Sequence, residues 1–293
     1  MRAAGPCAVI FSLVACSTSS DAPAPVVVDP PVRPTRPAMQ STSVVREPPP
    51  QPTASELVAE GQHWRLTTPR GPVHVWIPKG YRARGAETIV YVHGFYVNVD
   101  QAWEDYHLPR QFAAATINAA FIACEAPSGP TQAVSWTKLG PLLDAVEEGI
   151  AQKLPRRRIV TVGHSGAYRT LLGWLDEPLL DTVVLFDAAY GDIEKYRTWV
   201  NGGPKRRLID VGDDTRAWTD ELHRRLPESV ILDGFPSVDE GIPPAAAKAK
   251  VLYIKSTLGH FPLVTGGIAL PMILQTLRAR KLLDIPLANL VGE

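Results

Sequence analysis

The sequence predicts an α/β fold in which a mostly parallel sheet is flanked by helices. The first observation is alternation, because short apolar runs after residue 88 take turns with stretches of helical spacing. The second is that these runs are apolar throughout, as strands are when helices cover both faces of their sheet. The third is a strand, a tight turn with a serine at position 165 and a helix in direct succession. Such sheets place their functional groups in the turns after the strands.

The first sixteen of the 293 residues have the pattern of a secretory signal. Arg2 gives a positive charge, and residues 8–15 form an apolar run that is too short to span a bilayer. The run ends in Leu-Val-Ala-Cys, which resembles the lipobox of bacterial lipoproteins, where cleavage leaves a lipid-modified cysteine first. The resemblance implies a membrane-anchored lipoprotein of the cell envelope, acylated on Cys16 and facing the periplasm or the exterior. A plain signal peptide and an uncleaved anchor are the alternatives.

Residues 17–52 are predicted to be a proline-rich, disordered linker. Ten prolines fall within residues 21–52, and no hydrophobic periodicity runs through them. The remaining residues, 53–293, are enough for one domain with a sizeable core.

Charge and cysteine content exclude several classes of protein. Lys+Arg and Asp+Glu both number 30, so there is no electrostatic basis for binding nucleic acid. Two of the three cysteines fall within residues 1–16, which leaves Cys124 without a disulfide partner in the domain. The seven histidines show no H-E-x-x-H spacing, and neither paired cysteines nor a glycine-rich phosphate loop occurs. We therefore expect no metal site and no phosphate-binding loop.

The domain is predicted to begin with a hairpin and to continue with alternating strands and helices. Residues 63–68 and 73–77 alternate in polarity around a Pro-Arg-Gly-Pro turn, which is typical of a hairpin. Apolar runs predict the following strands, and amphipathic spacing predicts helices between them and at the C-terminus. The strands are 88–92, 119–123, 159–162, 183–186, 207–211 and 251–254, and the clearest helices are about 108–117, 139–154 and 270–283.

The strand at residues 159–162 ends in Gly-His-Ser-Gly, and an apolar helical stretch follows. This is the context of a nucleophile elbow, a strained turn that needs small neighbours and lifts its serine clear of the sheet. The pattern predicts Ser165 as a nucleophile and the backbone N–H of Gly166 as an oxyanion donor. The last motif position is Ala167 rather than glycine, and we expect it to be tolerated because the helix has begun there. A serine that only caps the helix is the alternative.

Two further segments follow the ends of predicted strands. Gly94 lets the chain turn away after residues 88–92, so that the N–H of Phe95 can serve as a second oxyanion donor. The neighbouring His93 is expected to shape this loop rather than to transfer protons. His260 lies past the last strand and before the closing helix, where it can act as the general base for the serine.

The acid that orients the histidine has two candidates. Asp187 directly follows the strand at residues 183–186, and Asp214 follows the next strand. Either one gives the chain order serine, acid, histidine. We favour Asp187 because it is flush with its strand end, whereas Asp214 and the adjacent Asp213 could simply cap a helix.

These motifs, over roughly residues 64–283, resemble the α/β-hydrolase superfamily. The resemblance implies an esterase, lipase, thioesterase or peptidase that works through an acyl-enzyme without a cofactor. It implies Ser165 as nucleophile, His260 as base, and Phe95 and Gly166 as oxyanion donors. In the family the acid usually follows the strand after the one that ends at Asp187, which keeps the second candidate open.

The sequence therefore predicts a serine hydrolase that cleaves an ester or amide bond of a small molecule and is tethered to the bacterial envelope. A carboxylesterase or lipase is the favoured kind of enzyme, on the analogy of the fold. The alternative is a hydrolase fold without activity that serves as an envelope binding or scaffold lipoprotein.

Overall fold

A computed structural model of the protein describes residues 50–291. The predicted signal with Cys16 and nearly all of the predicted linker lie outside these described residues. Within them, every helix is too short or too polar to cross a membrane.

The described residues form one mixed sheet in the order β1-β2-β4-β3-β5-β6-β7-β9-β8. The first two strands form the predicted hairpin and β2 is antiparallel to β4, whereas all other neighbours are parallel. The strands are β1 (Gln62–Thr68), β2 (Gly71–Ile77), β3 (Glu87–Val92), β4 (Ala119–Cys124), β5 (Ile159–His164), β6 (Leu180–Phe186), β7 (Arg207–Gly212), β8 (Val230–Leu232) and β9 (Val251–Lys255).

Helices cover both faces of this sheet, which confirms the predicted fold class. Successive residues of β3 point to opposite faces, so that Ile89 and Tyr91 join one core cluster and Val90 and Val92 the other. Burial on both faces explains why the central strands are apolar throughout. The helices are α1 (Ala54–Glu60), α2 (Val99–Asp105), α3 (Leu108–Ala114), α4 (Leu139–Gly149), α5 (Tyr168–Trp174), α6 (Ile193–Asn201), α7 (Arg216–Arg224), α8 (Pro244–Ala247), α9 (Pro262–Thr265), α10 (Ala269–Leu274) and α11 (Ala288–Val291).

The C-terminal helix is shorter than the predicted span of residues 270–283. The backbone N–H and the hydroxyl of Thr276 both donate to the carbonyl of Ile273, which tightens the turn and ends α10. Beyond it, the chain pairs with the segment before β4, where the N–H of Leu282 donates to the carbonyl of Thr116. The helical spacing of apolar residues continues in the sequence beyond residue 274, but these hydrogen bonds end the helix there. The short edge strand β8 and the first helix α1 were not predicted either.

Candidate active site

The turn after β5 has the backbone of a nucleophile elbow. Ser165 has φ 53°, a left-handed conformation that is uncommon for residues other than glycine. A short 3₁₀ helix, Ser165–Ala167, then leads directly into α5. The predicted nucleophile therefore stands between a central strand and a helix N-terminus, in a conformation that the surrounding packing must enforce.

The packing around this turn leaves no room for larger residues. A methyl group on Gly163 would lie 2.4 Å from Cδ1 of Leu171, and one on Gly166 would lie 2.3 Å from Cδ1 of Phe95. A methyl group on Gly94 would lie 2.8 Å from Cβ of Ser165. These distances are well below ordinary van der Waals contact, so the glycines are a steric requirement of the elbow.

The two residues predicted to supply oxyanion donors are packed against each other. The ring of Phe95 covers the backbone of Gly166. Among the described residues, neither of their amide N–H groups has a hydrogen-bond acceptor. The loop that carries the first amide is fixed by the next residue, because the N–H of Tyr96 donates to the carbonyl of Ser128 at 2.9 Å. Both amides are thus without an acceptor in the described part of the chain.

Both ring nitrogens of His93 form hydrogen bonds with backbone groups near the same loop. Its Nδ1–H donates to the carbonyl of Gly94 at 2.7 Å, and its Nε2 accepts from the N–H of Ala126 at 2.9 Å. Both ring nitrogens of this buried side chain are used in holding the strand exit. This is the shaping role that the sequence suggests for it.

The structure brings His260 to the buried carboxylate of Asp187. Nδ1 of the histidine lies 3.1 Å from Oδ2 of Asp187. Its distance to Oδ2 of Asp214, the other candidate, is 3.6 Å, which exceeds a hydrogen bond. The side chain of Asp214 is also 60% exposed, whereas that of Asp187 is fully buried.

The loop after β7 supplies donors to the acid on β6. The carboxylate of Asp187 accepts hydrogen bonds from the N–H groups of Asp213 at 2.6 Å, Asp214 at 3.3 Å and Thr215 at 3.3 Å. The hydroxyl of Thr215 donates to the same carboxylate at 3.1 Å. Burial raises the pKa of Asp187, but the hydrogen bonds from His260 and these amides outweigh burial and keep that pKa below its usual value. Asp187 is therefore held as an anion.

His164 stabilises the loop that carries His260. His164 precedes the nucleophile, is buried, and donates from Nε2 to the carbonyl of His260 at 3.1 Å. Burial lowers the pKa of His164 to about 3, so the side chain is neutral. A contact between residues 96 positions apart leaves no signal in a single sequence.

The hydroxyl of Tyr190, on the loop just after Asp187, lies near the side chain of Ser165. The hydrogen bonds of the described residues include none between Ser165 and His260, and Nε2 of that histidine has no protein partner. Hydrogen bonds of this kind are often long without substrate and tighten when it binds.

Aromatic side chains form a row beside the elbow. Ring centroids are 6.5 Å apart between Phe95 and Tyr168, 5.7 Å between Tyr168 and Tyr190, and 5.5 Å between Tyr190 and Trp218. Trp218, from α7, is 41% exposed and was not anticipated. Tyr96 extends the row on the other side and is 82% exposed. Exposed aromatic rings at the mouth of a site offer apolar and stacking contacts to a ligand.

The described residues include one group that could supply three ligand atoms to a metal ion, namely Asp187, Asp214 and His260. Their ligand atoms lie within 4.8 Å of one another. Both oxygens of the buried carboxylate already accept hydrogen bonds from protein N–H and O–H groups. The donor set therefore fits an acid–histidine pair better than a cation site.

No protein-family model matches the chain, and no curated protein matches it. Several solved structures, in contrast, are similar to it in fold. A mutant of the feruloyl esterase module from Clostridium thermocellum, complexed with sinapinate, has a TM-score of 0.50 at 14% identity, covering 74% of this chain and 89% of its own. A structure of FAE also has a TM-score of 0.50, at 11% identity, covering 77% of this chain and 90% of its own. A hyperthermophilic esterase from the archaeon Pyrobaculum calidifontis has a TM-score of 0.45, at 10% identity, with coverages of 75% and 87%.

The likeness to the first two structures, together with the strand order and the elbow, shows that this chain has the α/β-hydrolase fold. The resemblance in fold expected from the motifs is thereby confirmed.

Proposed function

We propose that the protein is a serine hydrolase that cleaves a small-molecule carboxylic ester through an acyl-enzyme. The observation that carries this proposal is the strained Ser165 directly after His164, whose ring centroid lies 4.6 Å from that of His260, the histidine hydrogen-bonded to the buried carboxylate of Asp187. A strained serine, a histidine with a free Nε2 and a desolvated carboxylate are the parts of a catalytic triad. A binding module has no use for this combination.

In the proposed reaction, Nε2 of His260 removes the proton from the hydroxyl of Ser165 as its oxygen attacks the ester carbonyl carbon. Asp187 accepts the Nδ1–H throughout and stabilises the imidazolium. The carbonyl oxygen becomes an oxyanion, to which the N–H groups of Phe95 and Gly166 donate. Collapse breaks the bond to the alcohol, which takes the proton from the imidazolium. A water molecule, activated by the same histidine, then hydrolyses the acyl-enzyme.

We assign the acid to Asp187 rather than to Asp214. Supporting observations are the 3.1 Å distance to His260, full burial, and hydrogen bonds that keep the carboxylate ionised. A solvent-exposed carboxylate at 3.6 Å would orient the imidazole less firmly. Asp214 contributes its backbone N–H to the network instead.

The acyl group of the substrate is proposed to lie along the aromatic row. Tyr168 and Tyr190 are partly buried beside the elbow, and the ring of Trp218 at the outer end of the row is 41% exposed. An aromatic or long aliphatic acyl group would bury this surface on binding, whereas an acetyl group is too short to reach the outer ring. This supports an ester with a bulky acyl group.

We further propose that the enzyme is a lipoprotein of the bacterial cell envelope, anchored through acylated Cys16. The support is in the sequence, where the Leu-Val-Ala-Cys motif directly follows the apolar run and a proline-rich stretch separates it from the domain. Such a linker would hold the catalytic domain away from the membrane surface.

A scaffold protein without catalytic activity is the second candidate. One observation favours it, since Ser165 makes no hydrogen bond with His260.

Labelling with a fluorophosphonate probe separates the two candidates, because the probe reacts only with an activated serine. We expect the purified protein to be labelled and the Ser165→Ala variant to remain unlabelled. Absence of labelling in a folded wild-type protein would favour the scaffold.

A further inference from the structure

A cluster of cationic side chains lies at the amino ends of the parallel strands, whereas Ser165 lies at their carboxyl ends. We call it the basic basin, a cavity of about 730 Å³ with five cationic side chains in its wall. These side chains come from segments that precede β5, precede β7 and follow α10, whereas the candidate active site follows the carboxyl ends of strands. Because these strands are parallel, the two sites lie at opposite ends of the strands. The cationic residues are Arg157, Arg158, Lys205, Arg206 and Arg278.

Most of this positive charge is uncompensated. Arg157 and Lys205 make no ion pair with any described residue, and both are exposed. Arg206 donates to the carbonyl of Trp199 and lies over its ring, so it is also without a carboxylate partner. The whole chain is neutral, which makes the excess of cations here a local feature.

The other two arginines have weak partners. Arg158 lies 3.7 Å from the carboxylate of Glu87, and burial raises the pKa of that carboxyl to about 7, so its negative charge is reduced near neutral pH. Arg278 lies 3.9 Å from Asp181, the acidic residue in the basin wall. The basin therefore keeps a net positive charge, and its guanidinium groups retain N–H donors that can bind anions.

The basin also presents apolar surface to solvent. Leu179 lines it and is 44% exposed, and Pro178 and Pro204 lie in the same wall. A soluble inorganic anion gains nothing from an exposed leucine. A bilayer surface combines anionic phosphate groups with accessible hydrocarbon just below them, so cations and an exposed leucine in one patch are complementary to it.

We propose that the basic basin docks the protein onto the anionic phospholipids of a membrane. The arginines donate to lipid phosphates, and Leu179 inserts at the level of the glycerol groups. Docking through the amino ends of the strands leaves Ser165, at the carboxyl end of β5, facing away from the lipid and open to soluble substrate. The proposal depends neither on hydrolase activity nor on acylation of Cys16.

Cosedimentation with vesicles tests this proposal on the full chain. Every protein carries Cys16→Ser, so that no acyl chain on that residue contributes. Vesicles contain either equal parts of phosphatidylglycerol and phosphatidylcholine or phosphatidylcholine alone. We expect binding to the anionic vesicles only, and binding that weakens as salt is added.

The charge-reversed variant combines Arg157→Glu with Lys205→Glu. Each basic residue near an anionic surface contributes about a factor of five, so removing two lowers the affinity at least about 30-fold. The matched control reverses Arg70 and Lys138, two exposed cations outside the basin that change the net charge equally. The control should keep near-wild-type binding. Leu179→Ser should weaken vesicle binding several-fold without changing the response to salt.

Two outcomes would overturn the proposal. The first is anionic-vesicle binding that survives the basin reversal, or that the control reversal abolishes equally. The second is no binding to anionic vesicles by the folded protein. If inorganic phosphate then binds by calorimetry and the basin reversal abolishes it, the basin is a site for a soluble anion instead.

Discussion

The imidazole of His260 hydrogen-bonds to the carboxylate of Asp187 across 73 residues of sequence, with 3.1 Å between Nδ1 and Oδ2. Asp187 stands at the end of β6, and the loop after the neighbouring β7 donates three backbone N–H groups to its carboxylate. The end of β6 thus supplies the buried carboxylate, and the loop after β7 supplies the hydrogen bonds that keep it ionised. A carboxylate held by such donors does not need solvent to remain charged.

The first prediction concerns the identity of the acid. Asp187→Asn should lower kcat for a chromogenic ester by about 10⁴-fold, because the amide stabilises neither the correct tautomer nor the imidazolium. Asp214→Asn is the matched control and should change kcat by less than about threefold, since its side chain lies beyond hydrogen-bonding distance. Steady-state kinetics of both variants measures this. A large loss in Asp214→Asn with a small loss in Asp187→Asn would transfer the role to Asp214.

The second prediction concerns the contact between Gly166 and Phe95. Gly166→Ala places a methyl group 2.3 Å from the ring of Phe95, which must move and carry its amide away from the substrate oxygen. We expect kcat/KM to fall about 10²-fold, the effect of a misplacement of about 1 Å. Gly140→Ala is the control, because nothing lies within 4 Å of its new methyl group, and it should retain activity. Wild-type kinetics in a folded Gly166→Ala protein would contradict the proposed oxyanion site.

The elbow and the succession of strands along the chain could be predicted from sequence because their signals are local. Ser165 lies within one strand–turn–helix unit, whose small residues and apolar runs are adjacent in the chain. The position of Asp187 at its strand end favours it over Asp214, but sequence alone cannot settle the choice. It depends on a difference of half an ångström in the distances to His260, which is set by the pairing of β6 with β7 and by the direction of two loops.

The contacts that sequence analysis missed are long-range or irregular. The bond from His164 to the carbonyl of His260 links residues far apart in the chain. The C-terminal helix was predicted too long because the periodicity of apolar residues does not show where Thr276 bonds back to Ile273. Trp218 was overlooked because the predicted helix around it shows no sign of which face meets Tyr190.

The third prediction addresses the acyl group of the substrate. Trp218→Ala should lower kcat/KM for esters of aromatic acids by about fivefold, which corresponds to the loss of about 1 kcal/mol of aromatic contact. The same change should leave the hydrolysis of acetyl esters unaltered, because an acetyl group does not reach the outer end of the row. Equal losses for both ester classes would show that Trp218 acts on the structure of the site rather than on substrate choice.

The fourth prediction concerns pH and stability. Hydrogen bonds from Arg156, against an opposing effect of burial, lower the pKa of Glu147 from 4.5 to about 2. A folded-state pKa below the unfolded value contributes stability that is full above pH 4.5 and disappears as the pH falls toward about 2. Glu147→Gln should therefore lower the free energy of unfolding by about 1–2 kcal/mol at neutral pH, with solvent screening taken into account, and progressively less in acid. Urea unfolding at several pH values measures this.

The control for that change is Glu148→Gln, at the adjacent and exposed position, which should alter the free energy of unfolding by less than about 0.5 kcal/mol. A destabilisation by Glu147→Gln that stays constant from neutral pH to about pH 2 would show that its charge is not responsible.

The last prediction concerns the proposed lipid anchor. Cys16→Ser should shift the protein from the membrane fraction to the soluble fraction of bacterial cells fractionated in high salt, which suppresses binding through the basic basin. Cys7→Ser is the matched control, because Cys7 precedes the apolar run and lies outside the Leu-Val-Ala-Cys motif, and it should leave partitioning unchanged. Mass spectrometry of the wild-type N-terminal peptide should show acyl chains on Cys16. Unchanged membrane partitioning of Cys16→Ser, together with an unmodified peptide, would leave the domain with a plain signal peptide or an uncleaved anchor.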